Sequence, residues 1–331
     1  MRLKIGSCMA VTGLIFVFIA YLAINRSYFQ SPIGANSFLW VMVGINHGPF
    51  QGDSHLLVTP NGRSLLIDGG QYAEARGNLL PLLKRMGISK LDTILITHPH
   101  SDHYGGVLAL LDAGFSIGEI YWYEPTTEYC NSEPYGCFND DLKHLKRVAL
   151  ERQVLLKPMS SFTEFVFTKK IKFLKLFQFS KETCPVTCSI NDTSLIGRLE
   201  VGPVKVLFTG DLDEPLSNWL VLHHRDELKA DILKVPHHGA DRTATYDFFT
   251  AVAAPVALVP APYDLWCSDR DGRVRNLLLQ KKTELFVNGV NGDVYVHMND
   301  DGRYWIDTQY WARLTAKCDR PLVRGIGRYL L

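Results

Sequence analysis

The stretch from Thr97 to Gly106 constrains this 331-residue chain more than any other, because it places three histidines and an aspartate within six positions. His98 and His100 alternate, so both can point to the same side of an extended segment, while Asp102 and His103 follow on a turn into a helix. The preceding residues form an apolar run typical of a buried strand. Imidazole and carboxylate ligands suit zinc, manganese or iron, and four so close together favour two ions over one. We therefore predict a metal centre on this strand-to-helix loop.

Two apolar segments farther along the chain end in residues of the same kind. The segment 204–208 leads to Asp211, and the segment 231–235 leads to His237 and His238. Both segments have the length and composition of buried strands. A single carboxylate can bridge two cations, and we assign that role to Asp211.

The amino-terminal end carries an uncharged, mostly apolar run of 21 residues, Ile5 to Asn25. That length is enough to span a bilayer. Arg2 and Lys4 precede the run and Arg26 follows it, so the positive-inside rule leaves the amino terminus in the cytoplasm. We predict a cell-membrane protein with a single span and its carboxyl-terminal domain outside the cytoplasm.

Residues 1–30 then form a membrane anchor or signal segment, and residues 31–331 form one large domain. Cleavage of the segment is the alternative, and it would leave a secreted or periplasmic protein. Around Ala20 and Ala23 no clean pair of small residues stands at the spacing that cleavage requires, which favours the uncleaved anchor.

The cysteines agree with a location outside the cytoplasm, where disulfides persist. Cys8 lies in the apolar run, and six cysteines remain, an even number that allows three disulfides. The local pairs Cys130 with Cys137 and Cys184 with Cys188 are the simplest to form. A cysteine-bound structural zinc is disfavoured because neither spacing matches a common zinc-binding pattern.

Composition predicts a globular domain, with 47% hydrophobic and 21% charged residues. Without residues 1–30 the chain has 32 basic and 34 acidic residues, so charge gives no basic field that would indicate nucleic-acid binding. Strand and helix patterns alternate, with several hairpins, which indicates sheets packed face to face and covered by helices. Residues 124–138, rich in proline, glycine and cysteine, form an insertion over a surface.

The motifs together resemble the metallo-β-lactamase fold superfamily, whose signature is His-x-His-x-Asp-His followed by a bridging Asp and a final His. The resemblance extends to the extracytoplasmic hydrolase domain of ComEC-type DNA-uptake proteins in a stand-alone form. It implies an α+β fold, a four-layer αββα sandwich of two mixed sheets after one transmembrane helix. The other segments that carry the finer resemblance are Gln51–Ser54, Leu66–Gly70, Asn191–Leu195, Leu207–Asp211 and Leu233–Gly239.

The resemblance also implies a role for each ligand. His98 and His100 bind one ion, Asp102 and His103 bind the second, and Asp211 bridges them. A histidine of the following turn completes the second site.

For that last ligand His237 is favoured, and His238 is the alternative. Asp68 is expected to orient a metal-binding histidine. Asn191 or Asp192 lies where many superfamily members carry another metal-binding histidine, so the first ion is expected to be held more loosely.

The sequence thus predicts an extracytoplasmic hydrolase that uses two divalent ions, zinc or manganese. A metal-bound hydroxide cleaves a phosphodiester, with DNA the expected substrate by resemblance, and Asp102 or Asp211 accepts the proton. One alternative is hydrolysis of a small ester, lactone or β-lactam by the same centre. The other is a non-catalytic assembly protein that binds metal without turnover.

Overall fold

The computed structural model describes residues 37–44, 50–133, 136–310 and 318, together with the backbone of residues 327–330. In chain order the strands are β1 (Ser37–Met42), β2 (Ser54–Val58), β3 (Ser64–Gly69), β4 (Lys90–Leu95), β5 (Ser116–Trp122), β6 (Leu155–Pro158), β7 (Glu164–Thr168), β8 (Ile171–Phe177), β9 (Ile196–Val201), β10 (Val204–Phe208), β11 (Ile232–Lys234), β12 (Val256–Val259), β13 (Glu284–Val287), β14 (Val294–Asn299), β15 (Tyr304–Thr308) and β16 (Gly327–Leu330).

The helices lie between these strands and cover the two outer faces of the fold. In chain order they are α1 (Tyr72–Glu74), α2 (Leu80–Arg85), α3 (Ser101–Asp112), α4 (Thr127–Ser132), α5 (Asn139–Glu151), α6 (Glu214–His224), α7 (Tyr246–Val252), α8 (Tyr263–Trp266), α9 (Gly272–Gln280) and α10 (Asn288–Asn291). A π-helical turn, Ala75–Leu79, joins α1 to α2.

The strands form two mixed sheets. The first has the order β16-β15-β14-β1-β2-β3-β4-β5-β6, and its pairs are parallel from β3 to β6 and antiparallel elsewhere. The second has the order β13-β12-β11-β10-β9-β8-β7, and its pairs are parallel from β10 to β13. The prediction of two mixed sheets with helices is confirmed.

Strands such as β1, β2, β3 and β12 are buried on both faces, which explains why they are continuous apolar runs. Strands β7 and β14, by contrast, alternate buried and more exposed residues. In β1, Leu39 and Val41 pack under the helices of the first sheet, whereas Trp40 and Met42 point into the core between the two sheets. In β10, Leu207 faces a third core beneath the other helices. Three apolar cores separated by two sheets give the order helix, sheet, sheet, helix.

The parallel strands bring the predicted ligands to one edge of the fold. Asp68 lies in β3, the histidine motif follows β4, Asp211 follows β10, and the turn Pro236–Gly239 follows β11. Because ligands collect beyond the carboxyl ends of parallel strands, this edge is where a site is expected.

Two helices begin earlier than their apolar patterns predict. Helix α3 begins at Ser101 rather than Tyr104, so Asp102 and His103 lie in its first turn. The helical segment predicted to begin at Asn78 begins at Tyr72. The extra residues of α3 are all polar, and apolar periodicity does not detect them.

Within the part of the chain that the structure describes, no helix is long and apolar enough to cross a membrane. The predicted anchor, Ile5 to Asn25, lies outside the described residues.

Three disulfides are present among the described cysteines. Cys130 bonds to Cys137 and Cys184 bonds to Cys188, which confirms both predicted local pairs. The third links Cys267 to Cys318 and closes the longest of the three loops.

Candidate metal centre

The histidine motif forms because a fully buried strand ends at a polar loop. Strand β4 buries Ile94 and Leu95 completely, and His98 on the following loop has no exposed surface. The Nε2 atom of His98 lies 3.1 Å from Nδ1 of His100, so the two rings present neighbouring nitrogen atoms. The amide of Ser101 donates to the carbonyl of Gly136 (2.7 Å), and this bond fixes the loop against the disulfide-bearing segment. The first pair of predicted ligands is therefore assembled in place.

A second cluster gathers Asp102, His103, Asp211 and His238, whose ligand atoms all lie within 4.8 Å of one another. Nε2 of His238 is 3.4 Å from an oxygen of Asp102 and 3.3 Å from Oδ2 of Asp211. Nε2 of His103 is 3.2 Å from the same Asp211 oxygen. Residues separated by more than a hundred positions in sequence thus form one ligand set.

Asp211 stands between the two clusters. Besides His103 and His238, the Nε2 atoms of His98 and His237 each lie 3.9 Å from its Oδ2. Its backbone N–H donates to the hydroxyl of Ser194 (2.9 Å), which holds the loop in place. One carboxylate oxygen faced by four imidazoles is the arrangement expected of a bridging ligand.

The residues present fit divalent metal ions. Nε2 of His100, His103 and His238 and Oδ1 of Asp211 are buried without a hydrogen-bond partner among the described residues. A buried polar atom without a partner carries a desolvation penalty, and several at one place call for a common ligand. Imidazole nitrogen and carboxylate oxygen are the donors that zinc and related ions take.

The carboxylates around the second cluster also favour a positive charge at that place. Burial by itself lowers the pKa of His103, but Asp211, Asp68 and Asp102 outweigh it and raise that pKa well above its ordinary value. The pKa of His238 is raised likewise, since Asp211 and Asp53 outweigh its burial. In the first cluster, burial and the neighbouring His103 lower the pKa of His98 and keep its imidazole neutral. Carboxylates that hold protons on buried imidazoles also favour a divalent cation there.

Asp68 takes the position expected of an orienting carboxylate. Nδ1 of His103 donates to its Oδ2 (2.8 Å), which leaves Nε2 directed at Asp211. The N–H and hydroxyl of Thr97 donate to the two oxygens of Asp68, each at 2.8 Å. The carboxylate is therefore fixed, and it fixes the tautomer of His103.

Of the two histidines in the turn, the structure brings His238 fully into the second cluster. His238 is buried, and its Nδ1 donates to the carbonyl of Pro260 (2.9 Å). His237 is 20% exposed and contacts Asp213 through Nδ1 (3.1 Å). The geometry favours the alternative, His238, for the second site, and which histidine binds metal stays a prediction.

Asn191 and Asp192 belong to neither cluster. Nδ2 of Asn191 donates to Asp213 (3.4 Å), and Asp192 accepts the N–H of Asp213 (3.1 Å). Burial and the nearby Asp213 raise the pKa of Asp192 to about 6. Both residues support Asp213, which in turn contacts His237.

No role follows from the sequence for two residues that lie beside the centre, Lys234 and Asp53. Lys234 is buried beneath the centre, ion-paired with Asp53 and 3.6 Å from Oδ1 of Asp211. Its Nζ also donates to the carbonyl of Gly210 (2.7 Å). A charged residue inside an apolar strand was the available signal, because lysine is almost never fully buried unless it is paired.

Comparison with known proteins agrees with this geometry. The family model described as the metallo-beta-lactamase superfamily matches residues 47–124, which include the histidine motif. This match supports the resemblance to the metallo-β-lactamase superfamily. Its resemblance to ComEC-type proteins is also supported, by curated relatives from two bacteria.

The chain is 26% identical to competence protein ComA of Neisseria gonorrhoeae over 216 residues, which cover 64% of the chain and 26% of that protein. It is 25% identical to ComE operon protein 3 of Bacillus subtilis over 281 residues, which cover 78% of the chain and 34% of that protein. The chain thus spans about a quarter to a third of the length of these relatives.

Solved structures similar to this chain share little sequence with it. A diphosphatase from the PhnP family is 15% identical with a TM-score of 0.38, covering 67% of this chain and 85% of that one. The CmlA beta-hydroxylase E377D mutant is 10% identical with a TM-score of 0.43, covering 79% and 54%. The match to the superfamily model and the histidine and aspartate clusters support a metal-dependent hydrolase.

Proposed function

We propose that the protein is a phosphodiesterase with a two-ion centre and that its leading substrate is DNA. The observation that carries the proposal is Oδ2 of Asp211, which faces imidazoles of both clusters at 3.2 to 3.9 Å. Two divalent ions bound on either side of that oxygen would supply a nucleophilic water at neutral pH and neutralise charge on a phosphoryl group.

The side chains of the chain itself define where a substrate approaches. Most of the ligands are buried, but the side chain of Asp102 is 13% exposed and that of His237 is 20% exposed. Nε2 of Gln51 donates to Asp102 (3.3 Å), which orients this carboxylate at the mouth. Asp102 is thus the more accessible of the two proposed proton acceptors. Asp211 is buried and contacts histidines of both clusters.

DNA is favoured over other phosphodiesters by the relatives. One is named as a competence protein and another as a product of the ComE operon. The chain lacks a basic excess, with 35 basic and 34 acidic residues, so binding must rest on the centre and its rim rather than on a general field.

DNA cleavage by the purified full chain tests the proposal. The detergent-solubilised protein is stripped with chelator, supplied with manganese or zinc, and incubated with single-stranded and duplex DNA. We expect metal-dependent cleavage, and His100→Ala and Asp211→Asn should lower it at least about 100-fold because each removes a ligand. His144→Ala, on the exposed surface of α5, is the matched control and should keep full activity.

Other outcomes point to the alternatives. Turnover of a nitrophenyl phosphodiester without DNA cleavage would make DNA the wrong substrate. Turnover of nitrocefin or a lactone alone would favour the small-ester hydrolase. Failure to bind any divalent ion would contradict both enzymes and favour an assembly protein.

The proposal also includes an anchored domain outside the cytoplasm. The three disulfides and the positively charged residues on the amino-terminal side of the apolar run support it. Protease added to intact spheroplasts should degrade the domain, with a cytoplasmic protein as control. Protection until the cells are lysed would contradict this location.

A further inference from the structure

The turn that carries His237 and His238 has an energetically unfavourable backbone conformation. Both residues adopt positive φ, 47° and 54°, a region that residues other than glycine rarely enter. Two consecutive residues of this kind are held only where the surrounding structure over-determines them, and such strain is concentrated at functional sites. The result of the bend is that both rings reach the same oxygen, with Nε2 of His237 at 3.9 Å and that of His238 at 3.3 Å from Oδ2 of Asp211.

Both rings are prepared as ligands through Nε2. Nδ1 of His238 donates to the carbonyl of Pro260 (2.9 Å), and Nδ1 of His237 contacts Oδ1 of Asp213 (3.1 Å). A metal-binding histidine commonly has its other ring nitrogen fixed in this way by a carbonyl or a carboxylate. Each ring therefore directs its Nε2 at the centre.

Of the two rings, only that of His238 belongs to the second cluster. His238 also lies 3.4 Å from Asp102, which places it in the second cluster. The ring centroids of His237 and His238 are 6.1 Å apart and their planes differ by 67°, so the rings diverge. At the same 3.9 Å from Asp211 stands Nε2 of His98, a ligand of the first cluster.

Asp213, which contacts His237, is held by the segment in which the resemblance implies a missing ligand of the first ion. Asn191, one of the two positions where the resemblance implies a histidine in many superfamily members, donates to Oδ2 of Asp213 (3.4 Å). The hydroxyl of Ser189 donates to the same oxygen (2.8 Å). The segment that does not supply a histidine thus fixes the carboxylate behind His237.

We infer that His237 and His238 bind different ions, His237 the first ion with His98 and His100, and His238 the second with Asp102 and His103. Both ions share Asp211. This inference rests on the two-ion centre of the proposed function but not on its substrate. It makes the first site complete without a histidine at position 191.

Metal binding by the full chain tests the inference without any turnover. The detergent-solubilised protein is stripped of metal and titrated with cobalt, with the number bound per chain measured by mass spectrometry and the site geometry by visible absorption. Wild type should bind two ions. His237→Ala should lose one ion and keep the other at wild-type affinity, and His238→Ala should lose the other, so that the two variants retain different absorption spectra.

Asp213→Asn provides a second variant that leaves both histidines in place. It should weaken the affinity for one ion about 10- to 100-fold and leave the other unchanged. The matched control is the pair Asp112 and His144, also a carboxylate and histidine in contact (2.9 Å). Asp112 is the last residue of α3, roughly 16 Å along the helix from its first residue. Asp112→Asn should therefore change neither affinity.

Retention of two ions at wild-type affinity by His237→Ala would overturn the inference, and so would loss of the same ion by both histidine variants. Two bound ions without DNA cleavage would instead contradict the proposed substrate and leave this assignment intact.

Discussion

Asp68 shows how one buried carboxylate sets the chemistry of a neighbouring ligand. It accepts two hydrogen bonds from Thr97 and one from Nδ1 of His103. Asp68→Asn keeps the size of the side chain but places an amide opposite that nitrogen. We expect the affinity for the second ion to fall about 10- to 100-fold, since outer partners of metal ligands contribute this much. Competition with a coloured chelator measures the loss, and an unchanged affinity would contradict the orienting role.

Lys234 is expected to contribute strongly to stability, because its charge is buried and paired. Burial by itself lowers its pKa, but Asp53 and Asp211 outweigh burial and raise the pKa above its ordinary value. Lys234→Met leaves Asp53 charged and buried, so the free energy of unfolding should fall by about 3 to 5 kcal/mol. Urea denaturation of the metal-free protein gives the value.

Lys157 is a matched control that separates the effect of burying a charge from the effect of pairing it. Lys157 pairs with Glu119 at 2.6 Å, but both side chains are more than a quarter exposed. Lys157→Met should therefore cost no more than about 1 kcal/mol. Equal losses for the two lysine variants would show that Lys234 does not neutralise a buried charge.

At the scale of elements, helix α3 places Asp102 and His103 because its backbone touches the end of β3. The amide of Gly106 donates to the carbonyl of Gly70 (2.6 Å). A Cβ atom at Gly106 would lie 1.9 Å from the carbonyl oxygen of Gly69, which is backbone and cannot move aside. Only glycine allows this approach, which is why the helix can begin so close to Asp68.

Gly106→Ala should therefore lower the free energy of unfolding by about 3 kcal/mol or more, because overpacking forces backbone shifts. It should also weaken metal binding, since α3 must move away from β3. Gly77→Ala is the control: nothing lies within 4 Å of an added Cβ there, and alanine should be neutral or stabilise by about 0.5 to 1 kcal/mol. Thermal unfolding compares the two, and similar stabilities would refute the close-packing argument.

The elements themselves were largely predictable from the sequence. Strands such as β10 and β12 coincide with their apolar runs because both faces of these two strands are mostly buried. The start of α3 was not, because its first turn consists of polar ligands that apolar periodicity ignores. The turn after β11 was not either, because the positive φ of His237 and His238 decides where each ring points.

At the scale of the whole molecule, the sequence predicted the ligand types and their strand ends but not their partners. His98 to His103 are neighbours in sequence, so their cluster is visible in one motif. The pair of Asp53 with Lys234 joins residues 181 positions apart, and only the packing of the two sheets brings them together. The resemblance implied that Asp211 bridges the two ions. The fold shows the buried charged residues beside it, Asp53 and Lys234.

Asp271 makes stability of the whole domain depend on pH. It is fully buried, both of its carboxylate oxygens lack a hydrogen-bond partner among the described residues, and Arg270 lies 3.6 Å away. Burial raises its pKa to about 6 against an ordinary 3.8, although Arg270 opposes the shift. Between these values the folded state keeps a proton that the unfolded state has lost. Stability therefore falls as pH rises through this range, on the order of 2 kcal/mol in total.

Asp271→Asn removes that titration while keeping the shape of the side chain. We expect the variant to be more stable than wild type at pH 7.5, with the advantage lost near pH 4, where the wild-type carboxyl is also neutral. Thermal unfolding in chelator at both pH values measures the difference between the two proteins, so pH effects shared by them cancel. Asp140→Asn, at a side chain 97% exposed, should shift the midpoint little at either pH. A variant advantage that is the same at both pH values would mean that Asp271 does not carry this dependence.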